Sequence, residues 1–249
     1  MIILKSKEEI SKIARASRIV AEVLQELRRM IKAGVTTAEL DQTAERMIRE
    51  RGGEPAFKGY RNFPATLCAS INEEVVHGIP SPGRVLREGD IIGLDLGAIY
   101  EGYYGDSAVT VPVGAVPDSV RRLLEVTEES LYEGISRVRQ GNRLSDVSHA
   151  IQACVEEAGY SVVTDFVGHG IGRSLHEEPQ VPNFGEPGKG PRLKEGMVLA
   201  IEPMVNMGRP EVRILDDGWT AVTRDGSLSA HFEHTVAVSD DGPLILSRL

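Results

Sequence analysis

The sequence predicts an α+β fold in which two similar halves share one curved, mostly antiparallel sheet covered by helices. Three observations carry this. Residues 87–95 (Arg-Glu-Gly-Asp-Ile-Ile-Gly-Leu-Asp) and 194–202 (Lys-Glu-Gly-Met-Val-Leu-Ala-Ile-Glu) follow one plan of charged turn, apolar strand and closing acid, Asp95 or Glu202. The same 107-residue spacing relates a helical face upstream, where Leu40, Ala44, Met47 and Ile48 match Val147, Ile151, Cys154 and Val155. The order helix, helix, strands is used twice. The halves fall at roughly 1–112 and 113–249 of a single domain spanning 1–249.

The elements follow in order. Ser6 with Glu9 is a capping box that opens a long helix. Ile10, Ile13, Ala14, Ser17, Val20, Leu24, Leu27 and Ile31 form its apolar stripe, and Gly34 is its expected C-terminal cap. Thr36 and Glu39 repeat the signature for the next helix. Residues 66–71 alternate as a strand, 91–97 read as a buried strand, and 104–111 as another after Glu-Gly-Tyr-Tyr-Gly. In the second half Asp118 is read as the cap of a helix carrying Val120, Leu123, Leu124, Leu131, Ile135 and Val138. A shorter helix follows over 144–158. Strands are expected near 162–167, 197–201, 211–214, 219–223 and 231–238, with the Pro/Gly-rich run 179–191 as a loop.

Bulk properties narrow the function. A hydrophobic content of 41% allows a sizeable core. The net charge of −9 argues against nucleic-acid binding through a broad basic face. With only Cys68 and Cys154, a disulfide framework is not expected and a reducing compartment is the default. No long apolar stretch follows the opening Met-Ile-Ile-Leu-Lys-Ser-Lys, so no signal peptide or membrane span is expected and the location is read as cytoplasmic.

The chemistry lies in acids and histidines at apolar or Gly-flanked positions. An acid closing an apolar strand is costly to bury unless a cation neutralises it. Asp95 and Glu202, at equivalent positions, point to two halves facing one shared cation site. Asp106 lies eleven residues beyond Asp95 across a turn, where a hairpin can bring the two together. His169 sits in Val-Gly-His-Gly-Ile-Gly, His77 in Val-Val-His-Gly-Ile-Pro, and Glu233 in His-Phe-Glu-His-Thr-Val. A solitary histidine in such a turn is compatible with a purely structural role; the set together favours a site. His231 and His234 are read as pointing away from Glu233, with His231 reaching at most its periphery. His149 is read as a surface residue.

Six motifs then give a specific resemblance: Ser-Ile-Asn-Glu-Glu-Val-Val-His-Gly-Ile-Pro (70–80), the Asp95 and Asp106 pair, Gly-His-Gly-Ile-Gly-Arg (168–173), His-Glu-Glu-Pro (176–179), Ile-Glu-Pro-Met (201–204) and Phe-Glu-His-Thr (232–235). Over essentially its whole length the chain resembles the type I methionine aminopeptidases of the short bacterial form. The resemblance implies the pita-bread fold as one catalytic domain. It implies removal of the initiator methionine from nascent proteins when the second residue is small.

It also implies two divalent ions (Co, Mn, Fe or Zn) on Asp95, Asp106, His169, Glu202 and Glu233, with Asp106 and Glu233 bridging. Glu202 is implied as acid/base, His176 as oxyanion partner and His77 as a contact to the substrate amide. The methionine pocket is implied at Phe57, Tyr60, Phe63, Cys68, Leu175 and Trp219. Phe57 stands where some members carry Cys, and Leu175 where some carry Phe. A monovalent cation near Asn72, Glu74 and Ser229, a monomeric state and transient ribosome contact complete the implied properties. Three rivals are kept: a proline-specific peptidase of the same fold, a non-catalytic binding protein on that fold, and a cysteine hydrolase using Cys68.

Overall fold

Two capping boxes start the first half. Ser6 Oγ accepts the Glu9 N–H at 3.2 Å while the Glu9 carboxylate accepts the Ser6 N–H at 2.9 Å. Thr36 and Glu39 repeat the exchange. Each box satisfies two donors that a bare helix end leaves orphaned. The helices they open are α1 (Lys7–Met30) and α2 (Thr37–Glu50). The computed structural model describes Met1–Leu249 and continues with β1 (Glu54–Pro55), β2 (Leu67–Ile71), β3 (Glu74–Val76), β4 (Ile91–Tyr100) and β5 (Tyr103–Pro112). The second half holds α3 (Asp118–Ser136), α4 (Leu144–Glu157), β6 (Ser161–Val162), β7 (Gly168–Gly170), β8 (Glu177–Val181), β9 (Val198–Ile201) and β10 (Met204–Asn206). It ends with β11 (Val212–Ile214), β12 (Ala221–Thr223), β13 (Ser229–His231), β14 (Glu233–Ser239) and β15 (Gly242–Ile245).

Nine strands form the main sheet in the order β1-β4-β5-β14-β9-β7-β8, with β2 on β4 and β15 on β14. Its pairings are antiparallel throughout. Two three-stranded sheets, β13-β10-β6 and β11-β12-β3, flank it. The fold is α+β in the pita-bread arrangement. Helices α1 and α2 lay Val20, Leu24, Leu27, Leu40 and Ile48 on Leu67, Ile92, Leu94 and Leu96. Helices α3 and α4 lay Leu123, Leu131, Ile135, Val147 and Ile151 on Leu199, Ile201, Val236 and Val238. Each such side chain, fully buried, contributes about 1.5–3 kcal/mol. Because strand side chains alternate, covering one face with helices leaves the other for Asp95, Asp106 and Glu233.

The 107-residue spacing recurs in three dimensions. Helices α2 and α4 begin at 37 and 144 and end at 50 and 157, and β4 and β9 begin at 91 and 198. Isolated bridges join Thr36 to Val85 and Arg143 to Arg192. The Gly34 N–H donates to the Leu86 carbonyl and the Gly141 N–H to the Leu193 carbonyl. Gly34 and Gly141 have φ of 93° and 90°, the left-handed backbone that a side chain would strain.

Several boundaries differ from the sequence reading: β4 runs on to Tyr100, and the strand expected over 231–238 is split at Phe232 into β13 and β14. Helix α1 ends at Met30, and Gly34 turns the chain afterwards. Pro117, not Asp118, precedes α3 and no side chain caps it; a proline with its fixed φ opens the helix instead. The expected strand 162–167 is only Ser161–Val162. The run read as a loop from 179 contributes Pro179–Val181 to β8, an edge strand, where a missing proline N–H is tolerated.

Candidate active site

The β4–β5 hairpin turns at Glu101 and Gly102, both with positive φ (48° and 77°), and pairs Tyr100 with Tyr103. This register sets Gly97 opposite Asp106 and Asp95 opposite Ala108. Asp95 and Asp106 are therefore diagonal neighbours on one face. Glu233, at the start of β14, also pairs with Ala108, so Asp95, Ala108 and Glu233 run across three strands. His169 pairs with Ala200 on β9, and Glu202 follows that strand where the register brings it beside Glu233. Thr235 fixes the Asp106 backbone: its Oγ1 accepts the Asp106 N–H at 3.1 Å and donates to the Asp106 carbonyl at 2.8 Å.

Ligand atoms of Asp106, His169 and Glu233 lie within 4.8 Å of one another. His169 Nε2 is 3.5 Å from Glu202 Oε1. The His169 Nδ1–H donates to the Gly170 carbonyl at 2.9 Å, which leaves Nε2 with its lone pair facing the acids. Asp95 Oδ1, Asp106 Oδ1 and Glu233 Oε1 are buried with no hydrogen-bond partner. Burial pushes Asp95 up to about 7. Burial, then repulsion from the other carboxylates, pushes Asp106, Glu202 and Glu233 well above the usual carboxylate range. Burial pushes His169 down to about 3. Four acids that disfavour their own charge, beside a neutral imidazole, are a donor set that a hard divalent cation fits.

A cavity of about 300 Å³ opens onto these groups. Its apolar wall is Phe57, Tyr60, Phe63, Cys68, Leu175 and Trp219, with Phe63 edge-on to Trp219 at 5.1 Å between centroids. Gly97 makes room for that wall: a Cβ there would lie 2.7 Å from Phe57 Cε1. His77 lies at the rim, edge-on to Phe166 and Trp219, and burial pushes it down to about 4. The His176 ring is 4.2 Å from that of His169 and stacks on Tyr60, whose hydroxyl is 2.8 Å from His176 Nδ1. Burial lowers the pKa of His176 as well. Near Asn72, the Ser229 N–H donates to the Asn72 carbonyl at 3.0 Å, while the Glu74 carboxylate is paired with Arg84.

The model of metallopeptidase family M24 matches residues 11–240. Methionine aminopeptidase 1 of Bacillus subtilis is 55% identical over 249 residues, the full length of both chains. The chain belongs to metallopeptidase family M24, among its methionine aminopeptidases. The crystal structure of the methionine aminopeptidase from Thermotoga maritima superposes with a TM-score of 0.99 at 47% identity, covering 100% of each chain. The prolidase from Pyrococcus furiosus, 24% identical, shares the fold at a TM-score of 0.80, with 99% of this chain covering 66% of it.

Within this M24 site two residues escaped the sequence reading: Arg61 and Phe166 line the cavity. His231, read as facing away but able to reach the periphery, is buried there with Nε2 3.8 Å from Glu202 Oε2. Residues two apart on a strand share a face, so the alternation should have placed His231 with Glu233. His234 does face away, toward Ser247 Oγ at 2.8 Å and Tyr132. His149 is exposed. Cys68 is buried, and burial with nearby acids pushes its thiol well up, which removes the thiolate that a cysteine nucleophile needs.

Proposed function

We propose that this chain removes the initiator methionine from nascent polypeptides whose second residue is small, in the cytoplasm, as a single catalytic domain. The observation that carries the reading is an apolar cavity opening onto buried carboxylates that lack partners. Asp95, Asp106, His169, Glu202 and Glu233 would hold two divalent ions, Co, Mn, Fe or Zn. Such ions lower the pKa of a coordinated water from about 15.7 toward about 7 and polarise a carbonyl. The resemblance also supports a monovalent cation beside Asn72, Glu74 and Ser229.

The residues divide the remaining work. Phe57, Tyr60, Phe63, Cys68, Leu175 and Trp219 seat the methionine side chain, and sulfur–aromatic contacts favour a thioether there. Glu202 takes the proton from the attacking water and returns it to the leaving nitrogen as the first peptide bond breaks. His176 carries its proton on Nε2 when Tyr60 donates to Nδ1, and that N–H stabilises the carbonyl oxygen as charge develops. His77 holds the substrate amide at the rim.

The test is release of methionine from Met-Ala-Ser by metal-stripped protein, with and without added Mn, Co or Fe, and Ala-Pro-Ala as control. Metal-dependent release of methionine alone is expected. Cleavage of Ala-Pro-Ala alone would move the chain to a proline-specific activity, and cleavage of neither would overturn the enzymatic reading.

A further inference from the structure

The loop carrying His176 is gripped from outside the cavity by the N-terminal segment, and we infer that Lys5 is a positioning residue for His176. The Lys5 N–H donates to the Gly196 carbonyl at 2.7 Å, which fixes the segment to the turn entering β9. From there the side chain reaches Glu177 Oε2 at 2.6 Å, and the two side chains are only 4% and 9% exposed. The ammonium also donates to the Ile3 carbonyl at 3.0 Å. The other carboxylate oxygen, Glu177 Oε1, accepts the Arg173 and Ser174 N–H groups at 2.8 and 3.2 Å. Glu177 thus closes residues 173–177 around its own head, with His176 the adjacent residue.

The packing leaves no slack. A Cβ on Gly172 would sit 2.6 Å from Lys5 Cε and 2.7 Å from Glu177 Oε1. The Tyr104 N–H donates to the Gly172 carbonyl at 2.8 Å, which pins the loop to β5. Arg173 adds a second grip, 3.5 Å from Glu9 and over the Tyr103 ring, but its side chain is 71% exposed and that contact is weak. The buried cation is Lys5. His176 is therefore located twice, by Tyr60 at its ring and by the Lys5–Glu177 pair at its backbone.

Without Lys5, Glu177 keeps its loop N–H donors but loses its cation. A buried carboxylate without a cation draws toward water, and the loop would follow. A displacement on the order of 1 Å at a catalytic group costs about 100-fold in rate. Lys5 should therefore act on turnover through His176, and not on methionine binding or metal loading. This rests on the role proposed for His176.

The experiment is a cycle of Lys5→Met, His176→Ala and the double variant, reading kcat and KM on Met-Ala-Ser, metal content and Tm. Lys5→Met should lower kcat by about 10- to 100-fold with KM changed less than about twofold and metal content unchanged. In the His176→Ala background, adding Lys5→Met should change kcat by less than about twofold. A multiplicative loss in the double variant, a loss confined to KM, or wild-type kcat in Lys5→Met would overturn the inference. If His176→Ala itself keeps full kcat, the reading of His176 fails and this inference with it. Should Lys5→Met not fold, Glu177→Gln enters the same cycle with the same expected pattern.

Discussion

Stripping the divalent ions should make the protein lose stability as pH rises through neutral. Burial pushes Asp95 up to about 7 and, with mutual repulsion, holds Asp106, Glu202 and Glu233 well above the carboxylate range. In the unfolded chain these groups ionise at about pH 4. The folded state then keeps protons that the unfolded state has released, so stability falls as pH rises toward the folded values. The buried histidines oppose this. His77 and His234 are pushed down to about 4, His169 and His231 to about 3, all chiefly by burial. Their contribution is present above about pH 6.5 and is lost as pH falls.

Below about pH 6.5 the two sets therefore offset each other, and above it only the carboxylates remain. Each proton retained by the cluster costs about 1.4 kcal/mol per pH unit, or about 3–6 °C of Tm for a chain of this length. Chelated protein melted at about pH 6.5, 7.0 and 7.5 should show that decline, and Mn should raise Tm most at the highest pH. Glu233→Gln should shrink the decline. A metal-stripped protein with a level Tm across this range, and an Mn shift no larger at high pH than at low, would refute the argument.

Other outcomes follow from the same geometry. Asp106→Ala or Glu233→Ala should abolish metal loading measured by elemental analysis, whereas His77→Ala should keep its metal and lose about 10²- to 10³-fold in kcat; metal loss in His77→Ala would contradict its role. Gly97→Ala places a Cβ 2.7 Å from Phe57 Cε1 and 2.9 Å from Ala56 Cβ. It should cost about 1–3 kcal/mol and raise KM for Met-Ala-Ser, and an unchanged KM would remove Phe57 from the pocket wall. Leu94→Ala, at a fully buried position, should cost about 3–5 kcal/mol by urea melting with kcat little changed; a kcat loss of similar size would mean that β4 does not hold Asp95 independently of its covered face.

What could be read in advance was what repeats or violates expectation. The α1 stripe and the paired elements of the two halves carry their period over many residues, so hydrophobic spacing suffices. Asp95 and Glu202 stand out because an acid contradicts the apolar strand it closes. The short strands β3, β8 and β10 offer no period: three to five residues, with Pro179 inside β8, look the same as a loop until a partner strand is known. Arg61 reaches the cavity from a backbone with φ of 47°, a conformation its identity does not announce. His231, two residues before Glu233, was legible from strand alternation alone, which puts the two on one face. A lysine five residues into the chain reads as solvent-facing, and only the fold puts Glu177 over it.

The two halves build a symmetric frame and an asymmetric reaction. At the 107-residue spacing Asp95 meets Glu202, so each half supplies one acid from the same point of the same strand. The spacing fails for the rest: it takes His77 to Phe184, His176 back to Ala69 and His169 back to Asn62. Asp95 lies within β4 and Glu202 directly follows β9, the two equivalent strands that the repeated helices cover. His77 follows β3 with a φ of 62°, and the N–H of the next residue, Gly78, donates to the Ser70 hydroxyl at 3.2 Å. His176 depends on Lys5 and Tyr60. Binding a charge-dense cation needs carboxylates converging from both sides, which symmetry delivers. Cleaving a peptide bond also needs an oxyanion partner, an amide contact and a side-chain pocket at different points around one carbonyl, which symmetry does not deliver. Substitutions at Asp95 or Glu202 should therefore cost the metal, while substitutions at His77 or His176 should move kcat with the metal retained.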